Sequence, residues 1–191
     1  MSTSTAPVFR HEFVIIRTVA RDVIKAILHS ILFQRVFGSI QPKTIEVLGL
    51  TFPQVIEPGT ERLVEERTES LFKALDHKTS QILSLRFLEK RSNRDSKPWY
   101  QTAEEDVIWE RWEIGFTIHH QSSQSTTAYQ LEGEREKIIK SIKSQLADFL
   151  SHQIGFVVSQ RDHIPAITSS EVVPFPVDII IHPATNGKER A

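Results

Sequence analysis

A chain of 191 residues, 39% hydrophobic and 25% charged, is long enough for one domain with a substantial core and too short for two comfortable ones. Its net charge of −1 offers nothing to a phosphate backbone, so nucleic-acid binding is not expected. It contains no cysteine, which excludes disulfides, thiol nucleophiles and cysteine-ligated zinc.

Val8 to Arg17 carries Phe13, Val14, Ile15 and Ile16, a composition that predicts a buried strand. Thr18 is placed to cap a helix from Val19 to about Phe37. Its apolar residues Val23, Ile24, Ile27, Leu28, Ile31 and Leu32 recur at steps of three and four, and Gly38 is placed to end it. Thr44 to Phe52 has strand composition but is interrupted by Gly49 and followed by Pro53, which predicts one short or edge strand. From Thr60 to about Leu75 the period is helical again, with Leu63, Val64, Leu71 and Leu75 on one side.

Ser80 to Lys90 alternates, with Leu83, Leu85 and Phe87 facing one way. A second alternating segment puts Trp112, Ile114, Phe116 and Ile118 on one face. The polar stretch between them, Arg91 to Asp106, predicts a long hairpin whose loop is basic on one limb and acidic on the other. After a Ser/Thr/Gln linker comes a long helix with Ile138, Ile142, Leu146, Phe149, Leu150, Ile154 and Val157 as its apolar stripe. Pro174 and Pro176 then confine any last strand to Val177 to Ile181. Strands that pair as a hairpin, with helices on one face, predict an α+β domain with a largely antiparallel sheet.

Met1 to Pro7 lack the basic start and apolar stretch of a secretion signal, and no apolar run approaches the roughly 20 residues a membrane helix needs. The expectation is a cytoplasmic protein with no transmembrane segment, one domain over residues 8–182, and disordered ends at 1–7 and 183–191.

Catalytic chemistry finds little support. No two glycines form a G-x-G phosphate loop, and there is no G-x-S-x-G elbow. His119 and His120 adjoin on a strand and point to opposite faces, so they are not a joint metal site. His29 inside the first helix reads as a satisfied interior or interface histidine rather than a ligand. Asp162 and His163 could pair as carboxylate and imidazole, but no nucleophile accompanies them; capping in a solvated turn is the plainer reading. No cofactor, metal or enzymatic activity is expected. Pro98-Trp99-Tyr100 is different, because two large aromatics sit in the most polar loop of the chain. Such rings either anchor a partner or fold back on the domain's own core.

Four segments carry a family resemblance. Leu28-His29-Ser30-Ile31-Leu32-Phe33-Gln34-Arg35, Trp109-Glu110-Arg111-Trp112, His163-Ile164-Pro165 and Ser170-Glu171-Val172 occur in order within Arg10 to Ile181. Together they resemble the family of HORMA-domain autophagy-related protein one hundred and one. The resemblance implies a HORMA fold without catalysis and a subunit of the autophagy-initiating kinase complex at the phagophore assembly site. It implies a heterodimer with the HORMA domain of the autophagy-initiation scaffold protein, which the chain would stabilise. It also implies an exposed aromatic finger that recruits downstream autophagy factors. Trp99 and Tyr100 occupy the finger's loop, although this chain has Tyr where the family has Phe, and its two aromatics are adjacent. For the HORMA partner, Phe33, Gln34 and Phe37 at the far end of the first helix are the candidate contacts; the alternative is that both phenylalanines join the core. The rival readings are a HORMA protein of the chromosome-axis or spindle-checkpoint type and a small α+β enzyme using Asp162 and His163.

Overall fold

The structure, a computed structural model, describes residues 6–41, 43–93, 103–119, 128–167 and 173–184. Strand β1 (Val8–Ile15) runs into helix α1 (Arg17–Phe33). A short hairpin of β2 (Lys43–Val47) and β3 (Leu50–Gln54) precedes helix α2 (Pro58–His77). Strands β4 (Ser80–Asn93) and β5 (Ala103–Ile118) form the long hairpin, followed by helix α3 (Ala128–Ser159) and strand β6 (Val177–Pro183). The main sheet has the order β1-β5-β4-β6. β4 is antiparallel to both of its neighbours, and β1 lies parallel to β5. The fold is α+β.

Alternation along the strands sets the inner face. Phe9, Phe13 and Ile15 of β1, Leu83, Leu85 and Phe87 of β4, Trp112, Ile114, Phe116 and Ile118 of β5, and Ile179 of β6 are all buried beneath the helices. Val14, expected inside with its neighbours, alternates outward and is exposed. β1 is an outer strand, yet α3 closes its edge at Val14. There Gln145 Oε1 accepts from Val14 N–H at 2.8 Å and Gln145 Nε2 donates to Val14 C=O at 3.3 Å.

Several boundaries differ from the sequence reading. α1 is not capped by Thr18, because Ile16, itself buried, holds the N-cap position without a side-chain cap. The same helix stops at Phe33 rather than Phe37, since Arg35 turns inward. The segment expected as one strand at 44–52 is a hairpin whose turn, Leu48 (φ 52°) and Gly49 (φ 72°), takes left-handed backbone at both central positions. α2 begins before Thr60, because the Glu57 carboxylate accepts from Gly59 N–H at 2.8 Å and Thr60 N–H at 2.6 Å, with Pro58 in the first turn. The β4–β5 ladder continues into the expected loop, pairing Lys90 with Asp106 and Arg91 with Glu105. The basic and acidic limbs therefore face each other as strands. At the margins, Pro7 C=O accepts from Arg111 N–H, and Pro183 belongs to β6.

Candidate functional site

The register of the long hairpin slips once. Phe87 pairs with Glu110 and Leu88 with Ile108, so Trp109 is the extra residue of a β-bulge. Trp109 and Glu110 are consecutive, yet both are buried, and Glu110 is completely enclosed. A carboxylate in such a place needs compensation. Arg35, just past the end of α1 and also buried, supplies it. Its Nε donates to Glu110 Oε1 at 2.9 Å and its Nη2 to Oε2 at 2.5 Å, a bidentate pair. The Trp112 indole N–H donates to Oε1 at 2.7 Å. His163 Nε2 lies 2.8 Å from Oε2 and carries the shared proton, since an ionised carboxylate only accepts. Aromatic rings close the cluster. Trp109 packs on His163 at 5.5 Å, on Phe87 at 5.5 Å and on Phe175 at 4.9 Å, and Phe37 meets Phe175 edge-on at 6.0 Å.

This arrangement satisfies a buried charge and has no reacting group. His163 does not pair with Asp162, which is exposed, so the paired-acid idea is overturned; nor is His163 a solvated capping group. Among the described residues no group of three histidine, cysteine, aspartate or glutamate side chains is placed to hold a metal ion. His29 is buried as expected but unsatisfied, with neither ring nitrogen hydrogen-bonded. Burial first, and then Lys25, push its pKa down to about 4. His120 lies outside the described residues.

The predicted contact residues divide. Trp99 and Tyr100 lie outside the described residues. Phe33 and Gln34 are half-buried, Phe33 against the core and Gln34 as the C-cap of α1. Phe37, 37% exposed, leaves part of its ring uncovered beside Phe175.

Sequence reasoning missed a second surface. Ile154, assigned to the core stripe of α3, is 57% exposed, and Val158 on the same face is 54% exposed. Between them an added side chain at Gly155 would meet nothing within 4 Å. The inward position belongs instead to Gln153, fully buried and joined to Ser30. Ser30 Oγ donates to its Oε1 at 2.8 Å, and its Nε2 donates to Ser30 C=O at 2.9 Å. The available signal was spacing, because Gln153 follows Leu146 and Phe149 by seven and four residues.

Comparison with solved structures defines the class. A chain of the structure described as the crystal structure of mitotic checkpoint complex superposes on 90% of this chain and 74% of its own, with TM-score 0.51 at 15% identity. The fold is that of a HORMA domain. The family model described as Autophagy-related protein 101 matches residues 12–171, a span that includes Arg35, Glu110 and His163. Autophagy-related protein 101 of Arabidopsis thaliana is 30% identical over 176 residues, covering 84% of this chain and 80% of the relative. The Schizosaccharomyces pombe protein of that name is 26% identical over 133 residues, covering 69% and 71%. The chain belongs to the Autophagy-related protein 101 family, and its role lies in autophagy.

Proposed function

We propose that this chain is a non-enzymatic adaptor of autophagy initiation that pairs, HORMA domain to HORMA domain, with the initiation scaffold and stabilises it. The observation that carries the pairing is the outer face of α3. Ile154 and Val158 present apolar surface on a rigid helix whose opposite side is anchored through Ile142, Leu146 and Phe149. Phe37, with Gln34 and the uncovered edge of Phe33, offers a second contact at the end of α1. No helix among the described residues is long and apolar enough to cross a membrane. On the adaptor reading, which rests on the family, the protein acts in the cytoplasm, at the phagophore assembly site, as a subunit of the initiating kinase complex. Trp99 and Tyr100 recruit downstream factors.

Association with the scaffold's HORMA domain tests the pairing. Ile154→Asp with Val158→Asp should weaken it at least roughly tenfold, as expected when charge enters an interface core. Undiminished binding of that variant rules out the α3 face, and no binding by the wild-type chain at micromolar concentration rules out the adaptor itself. Trp99→Ala with Tyr100→Ala should leave the pair intact and lower autophagic flux; unchanged flux removes the loop's recruiting role.

A further inference from the structure

The ends of four elements meet around a cavity of about 360 Å³, none of whose lining residues belongs to the Glu110 cluster or to the apolar face of α3. That volume falls in the range of small-ligand sites. Its floor is apolar, made by Ile16, Leu75 and Ile118, all buried. Its rim is polar and exposed. Arg17 and Thr18 come from the start of α1, Asp76 from the end of α2, His119 from just past β5 and Arg135 from α3.

The rim carries more positive charge than the chain itself answers. Arg17 pairs with Asp76 and lies over the Phe72 ring at 4.1 Å, so it is already compensated. Arg135 has no acidic partner among the described residues. The first turn of α1 is open as well. It has no side-chain cap and no acidic residue, and of its first three N–H groups only that of Val19 finds an acceptor among the described residues, Ile16 C=O at 3.2 Å. The start of α2 shows what is missing, because there the Glu57 carboxylate accepts from Gly59 and Thr60 N–H. Arg135 and the open helix end together leave on the order of one and a half elementary charges unanswered. One negative charge balances that excess. A dianion would be repelled by Asp76 and by the carbonyl end of α2 on the opposite wall.

We propose that this cavity binds an organic monocarboxylate on a branched apolar stem. The carboxylate lies between Arg135 and the first turn of α1, as Glu57 does at α2, and the stem lies on Ile16, Leu75 and Ile118. A free small acid and the carboxy-terminal residue of a peptide share this chemistry. The site is separate from the proposed scaffold pairing, and its test uses no partner protein.

Nuclear magnetic resonance of the full chain, titrated with N-acetyl-leucine at constant ionic strength, reads the site directly. The amides of Arg17, Thr18 and His119 should shift and saturate with a Kd of roughly 1 mM, as suits so small a ligand, while Gly59 and Thr60 at the capped end of α2 stay still. N-acetyl-leucinamide, which keeps the stem and loses the charge, should bind at least roughly tenfold more weakly. Arg135→Gln should weaken N-acetyl-leucine about fivefold or more. Thr18→Asp, which supplies a carboxylate to the open turn from the chain itself, should weaken it by a similar factor. Both positions are exposed, and unchanged amides at Phe13 and Phe116 verify the fold of each variant. The tripeptide Ala-Ala-Leu binding several-fold tighter than N-acetyl-leucine assigns the site to a peptide terminus, and equal or weaker binding assigns it to a free acid. Equal binding of the amide, or wild-type affinity in both variants, overturns the proposal. Tighter binding of inorganic phosphate than of N-acetyl-leucine also overturns it, since the site then selects a dianion without a stem.

Discussion

His29 lies within α1 and Arg35 just past its end, six residues on, and both are almost wholly buried, but their surroundings treat them in opposite ways. Arg35 is a full charge sunk against a full countercharge, with Trp112 and His163 occupying the remaining acceptor capacity of Glu110. His29 has no hydrogen bond to either nitrogen, and burial together with the nearby Lys25 keeps it neutral. An interior site can meet the desolvation problem by complete pairing or by discharging the group. The first solution fails when a partner is removed; the second fails when the pH falls.

Removing a partner should give the largest effect. Glu110→Gln preserves shape but leaves the buried Arg35 guanidinium uncompensated, and should cost about 3–5 kcal/mol in urea denaturation at neutral pH. Replacing both charges, with Arg35→Met added, should recover much of that loss, because the stranded charge is gone. A single-variant cost below about 1 kcal/mol would show that the pair is not desolvated.

Acid should break the second solution, with an effect nearly as large. Above the ordinary histidine value of 6.5, His29 is neutral folded and unfolded, and its contribution is complete. Between 6.5 and about 4 only the unfolded chain takes the proton, so stability falls as pH falls; below that range both states are protonated and the loss stops. The full window is worth about 3 kcal/mol. His11, whose pKa is lowered chiefly by burial and then by His152, adds a loss of the same sign. Denaturation midpoints measured across this range should slope steeply for the wild type and much less for His29→Leu. Parallel slopes would show that His29 is not the group being charged.

These contrasts also mark what could be read from the chain alone. Alternation placed Trp112, Ile114, Phe116 and Ile118 on the inner face. Carried back two residues, the same rule puts Glu110 there as well, and nothing local says how a carboxylate survives in that position. Its partners are 75 residues away in Arg35 and 53 away in His163, and only the folded chain brings them together. The motifs that carried the family resemblance contained all three residues without revealing that they meet. Distance likewise hid the parallel pairing of β1 with β5. Ile154 was misplaced for a different reason. Apolar character alone points Ile154 into the core, whereas the inward position on the helix is held by Gln153, whose amide is satisfied by Ser30. The α1 boundary failed in the same way, because Arg35 turns inward to a partner that α1 does not contain.

The smallest expected effect concerns the pair beside His29. Lys25 Nζ lies 2.8 Å from Glu65 Oε2, with the two side chains 36% and 58% exposed, so the pair itself should contribute only about 0.2–1 kcal/mol. Its influence on His29 has two signs, since Lys25 disfavours the imidazolium and Glu65 favours it. Lys25→Met should therefore change stability at neutral pH by no more than about 1 kcal/mol while narrowing the acid window, because one cause of the lowered pKa is gone. Glu65→Gln should widen it. Urea midpoints compared near neutrality and near pH 5 separate the two variants. If both leave the acid slope as it is in the wild type, burial alone holds His29 neutral, and its contrast with the charge-paired Arg35 becomes complete.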